Sequence, residues 1–117
     1  MRLLAKSTTD GTSWTPLEST PYLTGSICQG SIVSAAGVLF FSHPFSATSR
    51  TNGWIKYSND GGASWWLWRQ IDGSTFAYSS LTLVGVNQTH VSLGVVYEGN
   101  GGLRYAVVTG FLPAPSM

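Results

Sequence analysis

Ser58-Asn59-Asp60-Gly61-Gly62-Ala63-Ser64-Trp65 is the stretch on which the fold turns. It holds a carboxylate able to accept hydrogen bonds from the amides that follow, two glycines that permit a tight reversal, and a tryptophan that can anchor a hairpin. Near the start, Ser7-Thr8-Thr9-Asp10-Gly11-Thr12-Ser13-Trp14 also begins with Ser, ends with Trp seven positions on and carries Asp-Gly between. The two tryptophans lie 51 residues apart.

Working outward, the chain is a series of short segments rich in β-branched and aromatic residues: 31–34, 38–42, 54–58, 65–71, 77–84, 91–97 and 105–111. Glycine- and asparagine-bearing links separate several of them, at 59–62, at Asp72-Gly73-Ser74 and at 99–102, and these predict hairpin turns. No window of the chain keeps a helical apolar period, so the expected class is all-β. A repeat near 50 residues is about one four-stranded blade of a β-propeller, and the chain has room for two to three such units.

Composition narrows the function classes. With 117 residues, 43% hydrophobic, 13% aromatic and only 9% charged, the chain can bury a core of one small domain. A formal net charge of +1 gives no basic stripe of the kind that nucleic-acid binding needs. The longest apolar run, Gly37 to Phe41, falls far short of the roughly 20 residues of a membrane-spanning helix. No export signal is legible at Met1 to Lys6, and the compartment stays undetermined. The single Cys28 cannot close an intramolecular disulfide or build a structural zinc site. His43 and His90 do not suggest a metal pair, His43 before Pro44 reading as a strand end. No metal or cofactor is implied. Asn87-Gln88-Thr89 matches a glycosylation sequon, which matters only in a secretory context.

Ser58-x-Asp60-x-Gly62-x-Ser64-Trp65 resembles the Asp-box of the sialidase (neuraminidase) superfamily, which recurs on six-bladed propellers. Further stretches resemble exo-α-sialidases in order and spacing: Cys28-Gln29-Gly30-Ser31-Ile32, then Leu39-Phe40-Phe41-Ser42-His43-Pro44, Arg50 eight residues before the box serine, Ala77-Tyr78-Ser79-Ser80-Leu81, and Gly94-Val95-Val96-Tyr97-Glu98. The resemblance implies that residues 1–117 are a C-terminal fragment of a sialidase β-propeller domain, a partial six-bladed propeller with Asp-box hairpins. It further implies a parent exo-α-sialidase that releases terminal sialic acids with retention. The first arginine, the proton donor, the activating glutamate and the second arginine of that family would lie before Met1, so the fragment is expected to be inactive alone.

Sialic acid carries a carboxylate, which suits the bidentate fork of arginine. Arg50 matches the third carboxylate-binding arginine of the family pattern. Retaining sialidases use tyrosine as nucleophile, because a carboxylate would be repelled by the anionic substrate, and a free phenol with a pKa of about 10 needs activation. Tyr105, eight residues after Tyr97, is the candidate nucleophile. Gln29 is the candidate for hydrogen-bonding the polar side chain of the sugar. Glu98 stands next to the site without being the activating glutamate. The implied partners are sialylated glycans, with self-association through exposed blade edges. An alternative is a non-catalytic Asp-box propeller segment that binds glycan or protein. Pro113 to Met117 reads as the end of the domain.

Overall fold

The computed structural model describes residues 2–23 and 25–114, so Pro115-Ser116-Met117 of the expected domain end lie outside the described residues. The structure is all-β. Strand β1 (Arg2–Leu4) pairs antiparallel with β2 (Glu18–Thr20), and a 3-10 turn, Pro21–Leu23, leads out of this hairpin. An antiparallel sheet then runs in chain order: β3 (Ser31–Ala35), β4 (Val38–Pro44), β5 (Thr51–Ser58), β6 (Trp66–Val86), β7 (His90–Gly99) and β8 (Gly102–Phe111). The segments predicted as strands all lie in this sheet. The pair β1 and β2, three residues each, is too short to show a period and is not among the predicted strands.

The hairpin between β3 and β4 turns at Ala36-Gly37, with φ of 50° and 81°. Gly101 and Gly102, at 87° and 136°, turn β7 into β8. Both turns require the left-handed backbone that matches the twist of paired strands.

The predicted turn at Asp72-Gly73-Ser74 is different. There the chain does not reverse, and the segments on either side fuse into the 21 residues of β6. Its first half pairs with β5 as far as Thr51 opposite Thr75, and its second half pairs with β7 from Phe76 opposite Gly99. The local turn chemistry is still present, since Asp72 Oδ1 accepts from Ser74 N at 2.9 Å and Ser74 Oγ at 2.8 Å. It is spent on bending the strand, with register shifts in both ladders nearby, because neighbours on both sides hold the backbone extended.

The bend lets the sheet curl onto itself. Phe40, Ile55 and Trp68 from one half meet Phe76, Leu93, Val95 and Tyr97 from the other in one buried cluster. Phe76 stacks on Tyr97 with ring centroids 4.7 Å apart and lies so close to Gly53 that a Cβ there would fall 2.2 Å from a ring carbon. Ser42 Oγ and Ser79 Oγ, both buried, share a hydrogen bond of 2.7 Å across the halves. A curled antiparallel sheet of this kind is consistent with part of a propeller.

The segment 58–65 joins β5 to β6. Gly62 N donates to Ser58 Oγ at 2.8 Å, Ser64 N to Asp60 Oδ1 at 3.0 Å, and Trp65 Nε1 to Gly62 O at 3.1 Å. The segment 7–14 joins β1 to β2 with the same pattern. Gly11 N donates to Ser7 Oγ at 2.8 Å, Ser13 N to Thr9 Oγ1 at 2.9 Å, and Trp14 Nε1 to Gly11 O at 3.1 Å. The Asp-Gly pairs of the two stretches are displaced by one residue: Thr9 does the work of Asp60, while Asp10, at φ 52°, occupies the left-handed position of Gly61. Trp65 is buried, whereas Trp14 is 63% exposed.

Candidate functional site

Three loops and strand ends bring the predicted residues to one face of the second half of the sheet. Residues opposite one another in an antiparallel ladder project to the same side, and alternate residues along a strand share it. Ser80 opposes Val96 and Val96 opposes Tyr105, so these three share a face with Tyr78 and Glu98. The opposite face carries the buried Leu81, Val95 and Tyr97.

Arg50 approaches that exposed face from the connection between β4 and β5. Its guanidinium carbon lies 5.5 Å from the centre of the Tyr78 ring, a cation–π arrangement. Nε and one terminal nitrogen both donate to Ile27 O, at 3.2 and 2.9 Å. This fork ties the connection to the segment that carries Gln29. A guanidinium has five N–H donors, more than this fork uses.

Gln29 is exposed, yet both ends of its amide are in use. Oε1 accepts from Ser79 N at 3.1 Å, and Nε2 donates to Gly30 O at 2.6 Å. Ser31 Oγ likewise accepts from Leu81 N at 2.9 Å. The two side chains thus satisfy backbone amides of β6 that no strand pairs, which holds the start of β3 against the second half of the sheet.

Gln29, Tyr78, Ser80, Val96, Glu98 and Leu103 border an open depression of about 350 Å³. Glu98 Oε1 accepts from Tyr78 N at 3.2 Å, fixing the rim. Tyr105 lies beside this depression, 59% exposed. Its hydroxyl leans away along the sheet, above Gly94 and Thr82: a Cβ on Gly94 would fall 2.7 Å from the phenol oxygen and 3.0 Å from Thr82 Cγ2. Gly94 therefore makes the room that Tyr105 occupies.

Arg50 is thus tied through Ile27 to the segment that carries Gln29 and lies over Tyr78 of β6, and Tyr105 stands on the same face two strands further on, in β8. Two contributors were not singled out from sequence, Tyr78 as the ring under Arg50 and Gly94 as the floor under Tyr105. Their signal was present as positions of exposed alternation within quoted motifs. Among the described residues, no group of three or more His, Cys, Asp or Glu side chains gathers as a metal site.

Beneath the depression, the opposite face carries an anchored network. The Tyr97 hydroxyl donates to Asp72 Oδ2 at 2.8 Å, and Arg104 pairs with the same oxygen at 3.5 Å. Hydrogen bonds from the Ser74 amide and hydroxyl, then from Tyr97, hold the Asp72 carboxyl below the usual range. Burial, reinforced by Asp72, pushes the Tyr97 phenol up, so Tyr97 stays protonated and structural.

Over most of its length this chain is a sialidase-related sequence. It is 32% identical over 115 residues to a sialidase of Micromonospora viridifaciens, a match that takes in 90% of this chain and 17% of that protein. It is 30% identical over 102 residues to a sialidase of Bacteroides fragilis (strain YCH46), across 77% of this chain and 18% of that protein. The chain thus spans less than a fifth of the length of these curated relatives. No family model matches it.

Proposed function

We propose that the chain is the C-terminal portion of an exo-α-sialidase propeller, in which the turns at 7–14 and 58–65 are Asp-boxes and the curled sheet supplies part of two successive blades. In this reading β3, β4, β5 and the first half of β6 form one blade, and the second half of β6 opens the next. Arg50 grips the sialic acid carboxylate, Tyr105 is the nucleophile, and Gln29 lines the pocket for the polar arm of the sugar. Groups that complete the site come from polypeptide beyond this chain, so the chain alone does not turn substrate over.

The observation that carries the reading is the common face of Arg50, Gln29 and Tyr105, in a chain related to sialidases over most of its length. A guanidinium with a donor to spare beside an uncharged phenol suits an anionic sugar, since the phenol adds no repulsion.

Saturation-transfer NMR of the 117-residue chain with N-acetylneuraminic acid tests it. Binding is expected, weakened about tenfold by Arg50→Lys, which removes the planar fork, and unchanged by Tyr105→Phe, because the hydroxyl attacks rather than grips. Absence of binding, or equal binding by Arg50→Lys, overturns the assignment. The engagement of both Gln29 amide ends and the lean of the Tyr105 hydroxyl favour a second reading, a non-catalytic segment that binds glycan or protein. Binding of a neutral monosaccharide equal to that of the acid would support it.

A further inference from the structure

Two of the four asparagines of this chain precede a glycine, Asn52-Gly53 and Asn100-Gly101. In such a pair the following backbone nitrogen has no Cβ beside it to shield it, and it can attack the side-chain carbonyl of the asparagine, a residue that is chemically labile for this reason. The attack needs a backbone amide free of hydrogen bonds, a side chain free to swing over it, and access to water. The structure meets these conditions at one pair and denies them at the other.

Asn100 and Gly101 form the two-residue tip of the hairpin between β7 and β8, beyond the last rung at Gly99 and Gly102, and both are exposed. Arg104 donates to the backbone oxygen of Asn100 at 3.1 Å. The side-chain amide of Asn100 has no hydrogen-bond partner among the described residues, and neither has Gly101 N. Apart from its chain neighbours, nothing lies within 4 Å of where a Cβ on Gly101 would stand, so the tip has open space over it.

Asn52 is the opposite case. Its Nδ2 donates to Phe45 O at 3.2 Å, and its Oδ1 accepts from Trp54 Nε1 at 3.1 Å and from Gln70 Nε2 at 2.8 Å. Gly53 is buried within β5 against the Phe76 ring. Cyclisation there would break three hydrogen bonds and move a stretch of backbone that Phe76 pins.

We infer that Asn100 is a site of spontaneous deamidation and that the fold shields Asn52 from the same reaction. Gly101 N loses its proton to solvent base and bonds to Asn100 Cγ, the side-chain nitrogen takes up a proton and leaves as ammonia, and a cyclic imide remains. Water then opens the imide at either carbonyl. Opening at Cγ gives aspartate, whereas opening at the backbone carbonyl gives isoaspartate, with one extra carbon in the main chain of the turn. Both products carry a carboxylate that is ionised at neutral pH. Glu98 and Leu103, paired just below the tip, border the depression on the Arg50 face, so charge and turn length change at its rim. The inference rests on the two asparagine sites alone and does not depend on the sialidase reading.

Peptide mapping by mass spectrometry tests it on the 117-residue chain kept at mildly alkaline pH, once folded and once in strong denaturant. In the folded chain the peptide carrying Asn100 is expected to convert to aspartate and isoaspartate, and the peptide carrying Asn52 at least about tenfold more slowly, because its side chain must first break free. In denaturant the two are expected to convert at comparable rates. An Asn100 that persists in the folded chain while converting in denaturant, or equal rates at Asn52 and Asn100 in the folded chain, overturns the inference. Both comparisons use the unaltered chain, so no variant has to fold.

Discussion

Asp60 shows how far a single side chain can organise a turn. Hydrogen bonds from the Ser64 hydroxyl, the Ser64 amide and the Ser58 hydroxyl hold its pKa down at about 2, although the group is exposed. A carboxyl depressed in the folded state contributes stability above its ordinary range, and that contribution fades as pH falls from about 4 towards 2. Asp60→Asn should therefore be less stable than the parent by about 1 kcal/mol at neutral pH, and the gap should close in acid. Chemical denaturation at several pH values checks this, and a gap independent of pH contradicts it. The role of Asp60 was legible because aspartate, glycine and tryptophan fell at spacings with a turn mechanism. That of Thr9 was not, because a hydroxyl stands in place of the carboxylate and the Asp-Gly pair is displaced by one residue.

At the level of elements, β6 is where local signals and the final structure part. Asp72-Gly73-Ser74 has turn-forming chemistry, and its side chains do bond as in a turn, yet pairing with β5 before it and β7 after it keeps the strand running. Neither ladder can be seen in a three-residue window. The bend depends on the bare backbone of Gly53, over which Phe76 packs. Gly53→Ala should cost about 1–3 kcal/mol by pushing Phe76 out of its stack with Tyr97. Thermal unfolding measures the loss, and a neutral substitution would show that the contact is slack. The remaining strand positions were readable because alternation of β-branched and aromatic residues survives in β4, β7 and β8.

On the scale of the whole molecule, β8 ends the sheet and has a strand partner on one side only among the described residues. Leu103, Tyr105, Val107 and Phe111 are exposed along it, and no charge follows Arg104 within the strand. Such an edge favours pairing between copies, so the isolated chain is expected to self-associate with rising concentration, and Val107→Lys should suppress this. Sedimentation velocity of both proteins decides it: a parent that stays monomeric at high concentration, or a variant that associates equally, counts against this edge. The all-β class and the relation to sialidases were readable from sequence, whereas the convergence of loops around Tyr78 was not, since it depends on how the sheet curls. That curl has a bearing on ancestry. Because β6 serves both halves, neither can be copied or swapped as an independent cassette without severing a shared strand, whereas crossovers at Ala36-Gly37 or Gly101-Gly102 would exchange hairpins whole.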